Sequence, residues 1–454
     1  MPELAKNSEY IVTIESYNSD GSGVAKLDGL VIFVKGALRG ETCKIRLLKV
    51  LRNVAYAKIV EIITPSPHRI TPACENFGKC GGCDFMHMDY EEELELKKLR
   101  VEDALRRIGG FDIDVPPVVG CETLEGYRNK AIYAIGKADS RAAAGFYRER
   151  SHDIAPAPAA GCLIQADVSR RAANAVTRWM DERNIPAYDE KTHTGAVRRV
   201  FCRYAEATGE AQVVFETAEK NLPHLDALVS GLLENCPETA SIALNINKSR
   251  ANTVMAGRFR VIWGEEHITD ELCGLKFRLS PLSFYQINRT QAERLYRKAS
   301  EFAALTQDDL ALDLYCGAGT ITLLLAQSAG RVIGAEIVPA AIEDARRNAE
   351  LNGVENAQFI CADASLAAET LKNSGTQPDV VVVDPPRRGL SPEVIRTIAD
   401  MTPKRVVYVS CDPGTLARDL KEFRTLGFSL KNAAPFDMFP RCKHIECCCL
   451  LQRD

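Results

Sequence analysis

At 454 residues the chain is too long for one small domain and should fold as two to four, with 46% hydrophobic and 26% charged residues, the balance of an ordinary globular protein. A formal charge of −4 excludes a globally basic nucleic-acid binder, so any such partner must meet local basic patches. No apolar run approaches the roughly 18 residues of a membrane helix, and residues 1–8 lack a signal-peptide core, so the expectation is a cytoplasmic protein with no membrane partner.

Residues 10–63 alternate short β-type runs (10–17, 23–27, 31–34, 42–48 and 55–62) with glycine and aspartate turns, and Asp28-Gly29 is a strong hairpin signal. About five strands in that length suggest a small closed barrel of the OB type, a scaffold often used for RNA. Lys35, Arg39, Lys44, Arg46, Lys49, Arg52 and Lys58 form a basic run there, either a binding patch or a solvated charged face. On Gly21, Gly23, Asp28-Gly29, Val34 and Gly40-Glu41 the stretch resembles the TRAM domain, an RNA-binding module. Residues 64–67, Thr-Pro-Ser-Pro, read as a linker.

Sixteen cysteines without a secretory signal point to metal, cluster or catalytic thiols rather than a disulfide framework. Cys74, Cys80 and Cys83 form a local triplet with Gly81-Gly82 bending the backbone between the last two, and one metal centre would need a fourth ligand. Cys162 is preferred to Cys121 because it follows a Pro/Ala/Gly-rich loop. Soft thiolates suit zinc or an iron-sulfur cluster, and spacing does not decide between them. The triplet does not match the more compact one of radical-type adenosylmethionine enzymes.

Residues 91–108 have helical periodicity with interleaved acids and bases, read as a solvated face. Alternating runs at 130–136, 144–148, 198–204, 211–216 and 241–247 give a mixed α/β region. Arg198, Arg199 and Arg203 lie on one of its strands, where they would either touch phosphate or form a plain arginine surface.

The turn-rich segment 279–288 contains Gln286 and hands over to a helix at 289–302, with Asn288 as N-cap. From Leu310 the order becomes strand, glycine turn, helix, repeated, the pattern of a doubly wound α/β domain. The first strand runs into Tyr315-Cys316-Gly317-Ala318-Gly319, where glycines let the backbone approach a ligand. The second ends at Glu336, placed to accept ribose hydroxyls, and Asp363 after the third could meet an adenine edge. No third glycine follows in dinucleotide spacing, which disfavours nicotinamide; the two-glycine turn with Glu336 and Asp363 in step resembles the first motif of class I adenosylmethionine-dependent methyltransferases. The strand 380–383 ends in Asp384-Pro385-Pro386-Arg387, whose stiff backbone fixes where the carboxylate points.

The apolar run 406–409 ends in Ser410-Cys411-Asp412-Pro413-Gly414, a buried strand delivering a thiol to a sheet rim beside the helix read at 415–423. Such a position favours a thiolate nucleophile, against the alternative of a cysteine acting as a small hydrophobe.

The cysteine quartet, Ser280-Pro281-Leu282-Ser283-Phe284-Tyr285-Gln286, Asp384-Pro385-Pro386-Arg387, Ser410-Cys411-Asp412-Pro413 and His444-Ile445-Glu446 together resemble the RNA uracil carbon-5 methyltransferase family, in its branch with a TRAM domain and an iron-sulfur cluster. The resemblance implies Cys411 as nucleophile and Glu446 as general base, with Gln286, Tyr315, Glu336 and Asp384 contacting S-adenosylmethionine. It also implies a 4Fe-4S cluster, with zinc the lesser alternative, on Cys74, Cys80, Cys83 and Cys162. Cys447-Cys448-Cys449 departs from the more usual apolar residues.

The expected division is 1–63 TRAM barrel, 64–90 linker with the cluster cysteines, 91–275 central α/β domain and 276–454 Rossmann-like methyltransferase domain. The expected partner of a monomeric enzyme is RNA, with 23S ribosomal RNA favoured over transfer RNA of the uridine-54 type. Cytosine carbon-5 methylation and a non-catalytic RNA-binding protein are the other readings.

Overall fold

The computed structural model describes residues 4–148, 151, 153–158, 161–250 and 253–454. Period-two alternation builds the first sheet from β1 (Glu9–Thr13), β2 (Ser16–Tyr17), β3 (Gly23–Leu27), β4 (Leu30–Lys35), β5 (Thr42–Val50) and β6 (Val54–Thr64), in the order β1-β5-β6-β4-β3-β2. Val12, Ala25, Ile32, Val34, Cys43, Ile45, Leu47 and Ala57 bury one face. The hairpin at Asp28-Gly29 forms, with both residues left-handed at φ 49° and 81°. Of the basic run, Arg39 is paired with Glu92, and both Lys44 and Arg46 with Glu9, whereas Lys49, Arg52 and Lys58 are exposed.

The stretch read as a linker is tied down. Thr64 belongs to β6, and the buried Ser66 donates its N–H to Glu41 at 3.3 Å. Glu41 is fully buried and draws in Leu38 N and the Arg69 guanidinium as well, because a buried carboxylate must collect donors.

Helix α1 (Tyr90–Ala104), capped by Asp89, continues through one π turn (Leu105–Gly109) to a left-handed Gly110. The expectation that its charges form a solvated face fails at Glu92, Glu93 and Lys97, which are buried. Lys97 Nζ donates to Glu93 Oε1 and to Asp437 Oδ1, each at 2.7 Å, so the charges are neutralised by a residue 340 positions away. Val101, Leu105, Phe111, Val115 and Val118 pack into the core beneath the C-terminal sheet, not into the central domain where the division at 91 would place them.

The central sheet comprises β7 (Lys130–Ala138), β8 (Arg141–Tyr147), β9 (Ile154–Pro156), β10 (Val197–Ala205), β11 (Glu210–Thr217), β12 (Thr239–Ile246) and β13 (Arg258–Gly264), ordered β13-β12-β11-β10-β7-β8-β9. Helices α2 (Asp167–Glu182) and α3 (Leu225–Asn235) pack against it through Val176, Trp179, Leu228 and Leu232. Both readings of its arginine strand fail. Arg198, Arg199 and Arg203 are all buried: Arg198 pairs with Glu190, Arg199 with Glu216, and Arg203 donates to Ser280 O at 2.8 Å and Ser283 O at 2.6 Å. Cations so placed are consumed by internal partners and unavailable to phosphate.

A hairpin of β14 (Ile268–Leu272) and β15 (Leu275–Leu279) follows, paired Leu272 to Leu275, so a division at 275 would cut it. Helix α4 (Arg289–Ala303) begins at Asn288, whose side chain accepts Gln291 N as expected. The last sheet alternates β16 (Leu310–Leu314), α5 (Thr320–Ala326), β17 (Arg331–Glu336), α6 (Pro339–Leu351), β18 (Ala357–Cys361), α7 (Ala364–Asn373) and β19 (Val380–Val383). It continues with α8 (Pro392–Asp400), β20 (Arg405–Ser410), α9 (Pro413–Thr425), β21 (Phe428–Phe436) and β22 (Glu446–Arg453). The order is β18-β17-β16-β19-β20-β22-β21, with the first five strands parallel and β22 antiparallel to both its neighbours. Because β17 and β19 flank β16 on opposite sides, the winding reverses there and opens a crevice at the carboxyl ends of the strands. Among the described residues no helix is long and apolar enough to cross a membrane.

Candidate active site

One cavity of about 600 Å³ lies at that crevice, and its wall includes Gln286, Tyr315, Glu336, Asp384, Cys411 and Glu446. Six residues named from separate motifs thus meet in one place.

The β16 turn forms the cavity floor. Tyr315 is left-handed at φ 71°, a conformation that costs a non-glycine residue energy and is held here by its N–H to Ala335 O at 2.9 Å. A Cβ at Gly319 (φ 87°) would stand 3.2 Å from the Ala345 side chain, so α5 can start this close to α6 only with glycine. Glu336 ends β17 and takes the Val338 N–H at 3.0 Å, while Asp363 caps α7 through Ser365 N at 2.9 Å. Asp384 follows β19 with burial alone raising its carboxyl to about 7.

Gln286 sits in a loop clamped from the central domain. Asn129 donates to Gln286 O at 2.9 Å, and the Arg203 guanidinium holds Ser280 O and Ser283 O. Ser283 Oγ in turn donates to Asp344 of α6 at 2.6 Å. Phe284, 65% exposed, is left at the cavity rim.

Cys411 comes one residue after β20, and the antiparallel pairing of Ser410 with Cys447 brings Glu446 opposite it. Glu446 is 3% exposed, and burial together with the nearby Asp384 carboxyl drives its proton affinity well above that of a free glutamate. The lowered thiol pKa expected for Cys411 does not hold. Burial first, then Glu446 and Asp384, push it up to about 11, with Arg387 opposing. The start of α9 gives little relief because the Asp412 carboxylate already takes its free N–H from Thr415 at 2.9 Å. His444 also lines the cavity, its Nε2 3.5 Å from Arg387 Nη2, and burial plus that cation lower it to about 4. Phe439, edge-on to His444 at 5.9 Å, was not anticipated; only the pairing of β21 with β22 brings it there. Cys447, Cys448 and Cys449 are buried core residues of β22.

Cys74, Cys83 and Cys162 pack around one apolar patch of Met86, Tyr127 and Ile164, and Cys80 is close enough for its charge to act on both Cys83 and Cys162. All four are free and half-buried. Cys121 is elsewhere, its thiol donating to Asp437 O at 3.2 Å. Among the described residues no three cysteine, histidine or acidic side chains stand at ion-holding spacing. The donor chemistry fits a soft centre; the sulfurs are gathered but not closed around one. The loop before Cys162 includes residues 159 and 160, which lie outside the described residues.

A doubly wound sheet with this strand order, a glycine turn after β16 and an acid after β17 defines a class I S-adenosylmethionine-dependent methyltransferase. A family model for tRNA (Uracil-5-)-methyltransferase matches residues 259–454, and one for the TRAM domain matches residues 4–60. Proteins named "Uncharacterized RNA methyltransferase" are 42% identical in Bacillus cereus (100% of this chain, 98% of theirs) and 41% identical in Clostridium tetani (98% and 96%). The crystal structure of Pyrococcus abyssi tRNA (uracil-54, C5)-methyltransferase in complex with S-adenosyl-L-homocysteine superposes with a TM-score of 0.77 at 30% identity, covering 97% of this chain and 99% of that one. The chain belongs to the RNA (uracil-5-)-methyltransferase family, and its cofactor is S-adenosylmethionine.

Proposed function

We propose that this enzyme methylates carbon 5 of one specific uridine in RNA through a covalent bond between Cys411 and carbon 6. The observation that carries the reading is that one cavity holds a strand-end cysteine and a buried carboxyl opposite it, beside the strand ends of a cofactor crevice. Carbon 5 of uracil is too weak a nucleophile to accept a methyl group unaided, so Cys411 gives up its thiol proton to solvent and adds as the thiolate to carbon 6, pushing electrons to carbon 5. Bound S-adenosylmethionine would supply an electrophilic sulfonium methyl; carbon 5 takes that methyl as the sulfur–methyl bond breaks, and S-adenosylhomocysteine is the leaving product. Glu446 then takes the carbon-5 proton, the carbon 5–carbon 6 double bond re-forms, and the thiolate leaves. Only the ionised Glu446 can take that proton; burial and Asp384 oppose ionisation in the free protein, and once ionised the carboxylate is a correspondingly strong acceptor. Gln286, Tyr315, Glu336 and Asp384 hold the cofactor in this reading. A stacked uracil cannot reach Cys411, so the target nucleotide is extruded into the cavity.

Cys74, Cys80, Cys83 and Cys162 would carry a 4Fe-4S cluster that fastens the 74–83 loop to residue 162 and supplies no step of the transfer. Iron and sulfide analysis after anaerobic purification checks this against zinc. Ribosomal RNA, 23S in particular, is the favoured substrate of a cytoplasmic monomer. Transfer RNA is the second reading, favoured by the stated specificity of the Pyrococcus abyssi enzyme.

RNA containing 5-fluorouridine, incubated with labelled cofactor, tests the mechanism. A stable protein–RNA adduct that disappears in Cys411→Ala supports it, and adduct formation by Cys411→Ala refutes it. Running 23S ribosomal RNA and transfer RNA side by side separates the two substrates.

A further inference from the structure

Residues 437–445 form a strap between two antiparallel neighbours, β21 and β22, that usually would be joined by a short turn. The strap contributes Phe439 and His444 to the cavity and ends at Glu446. Its backbone is held along its length by elements from the other end of the chain. Lys97 Nζ donates to Phe439 O at 3.2 Å as well as to Asp437, and Arg441 N donates to Glu93 Oε1 at 2.7 Å. Arg441 O receives both Asp84 N at 2.8 Å and Phe85 N at 3.1 Å. Lys443 N donates to Asp84 Oδ2 at 3.0 Å, and Lys443 O accepts from Arg100. Tyr127 OH reaches Pro440 O at 2.9 Å.

The side chains of Lys97, Glu93 and Asp437 are all 0% exposed. Well-packed apolar residues of similar volume are often as stable as a buried ion pair, so this group's contribution is sought in what it positions. Here it ties down the strap at Asp437 and Phe439, and the strap leads directly into β22 at Glu446, where pairing with Phe436 and the Ser410–Cys447 register take over. We infer that Lys97 and Asp84, neither of which touches the cavity, are positioning residues for the second half of the reaction, holding Glu446 against carbon 5 for proton removal after the methyl group has moved. The inference rests on the reaction proposed above.

The two halves of the reaction separate experimentally. Trapping on 5-fluorouridine needs Cys411 and methyl transfer but no proton removal, whereas turnover on uridine needs both. Lys97→Met and Asp84→Asn are therefore expected to trap 5-fluorouridine RNA at the wild-type rate while kcat on uridine RNA falls by up to about 100-fold, the effect of a small misplacement of a reacting group. A methylated enzyme–RNA adduct should then accumulate on ordinary uridine RNA, visible on a denaturing gel, with KM for the cofactor unchanged. In a Glu446→Gln background Lys97→Met should add no further loss, because both changes act on one step. Unchanged turnover in both variants overturns the inference. So does a parallel fall of trapping and turnover, or loss of folded protein in both variants, since each would assign these residues to the fold as a whole. Absence of trapping in the wild-type protein would instead sink the proposed mechanism.

Discussion

Two regions meet at the cavity and are positioned by different means. The rim of the parallel sheet carries Tyr315, Glu336, Asp384 and Cys411, each one step after a strand or at its last residue, so local chain direction alone puts them at one edge. Gln286 arrives on a loop and Glu446 at the start of the antiparallel strand β22, neither governed by parallel pairing; Arg203 and Asn129 hold the first, antiparallel register and the strap tied by Lys97 and Asp84 the second. The rim is a consequence of the fold class, whereas the other two groups depend on polar contacts between residues 80 to 359 positions apart in sequence. Substitutions at distant sites should therefore damage the second set and spare the first.

The largest effect that sharpens this contrast is Glu446→Gln. Turnover should fall by about 10²- to 10⁴-fold, the range for loss of a general base, while 5-fluorouridine trapping by the rim residue Cys411 survives. Gel-resolved adducts measured with both RNAs check it. Next, Arg203→Met leaves Ser280 O and Ser283 O without their donor; it should cost about 2 kcal/mol in denaturant unfolding and about tenfold in cofactor affinity by calorimetry. If cofactor affinity is unchanged, the loop is not held from the central domain as described.

Asp384→Asn probes the rim itself. The folded carboxyl is raised to about 7 by burial, so the free protein loses stability as pH climbs from about 4 to about 7, and the loss is complete above that. Asparagine removes the penalty: the cofactor-free variant should melt higher than wild type at pH 8, by about 2 kcal/mol, and show a smaller gain at pH 5. Cofactor binding should weaken at the same time. The smallest effect belongs to the first sheet, away from both regions: Lys58→Gln on the exposed side of β6 should lower RNA affinity uniformly and reduce the log–log salt slope by about 1, without touching kcat at saturating RNA.

Much of the rim was legible in the chain before any coordinates, because strand, glycine turn and helix leave local signals and the parallel topology turns them into a shared edge. The helix at 91–108 shows the converse. Its interleaved charges have the pattern of a solvated surface, and nothing nearby reveals that Lys97 answers Asp437, since an ion pair is set by distance in space. Arg203 misled for the same reason, a basic strand looking alike whether its cations face water or the backbone of another domain. The Cys411 thiol was placed correctly but its proton was misjudged: the helix start that should acidify it is taken by Asp412, and two neighbouring carboxyls come from strands that the segment itself cannot foresee.

By itself the sequence determined the module order, the cofactor crevice and the motif residues on its wall, because hydrophobic period and turn chemistry are local and strand ends in a parallel sheet gather on one side. Tertiary structure alone decided what holds the strap and the Gln286 loop, which carboxyls raise the Cys411 thiol, and which charges are spent inside. Register and burial are properties of pairs of segments, and a single segment carries only half of each.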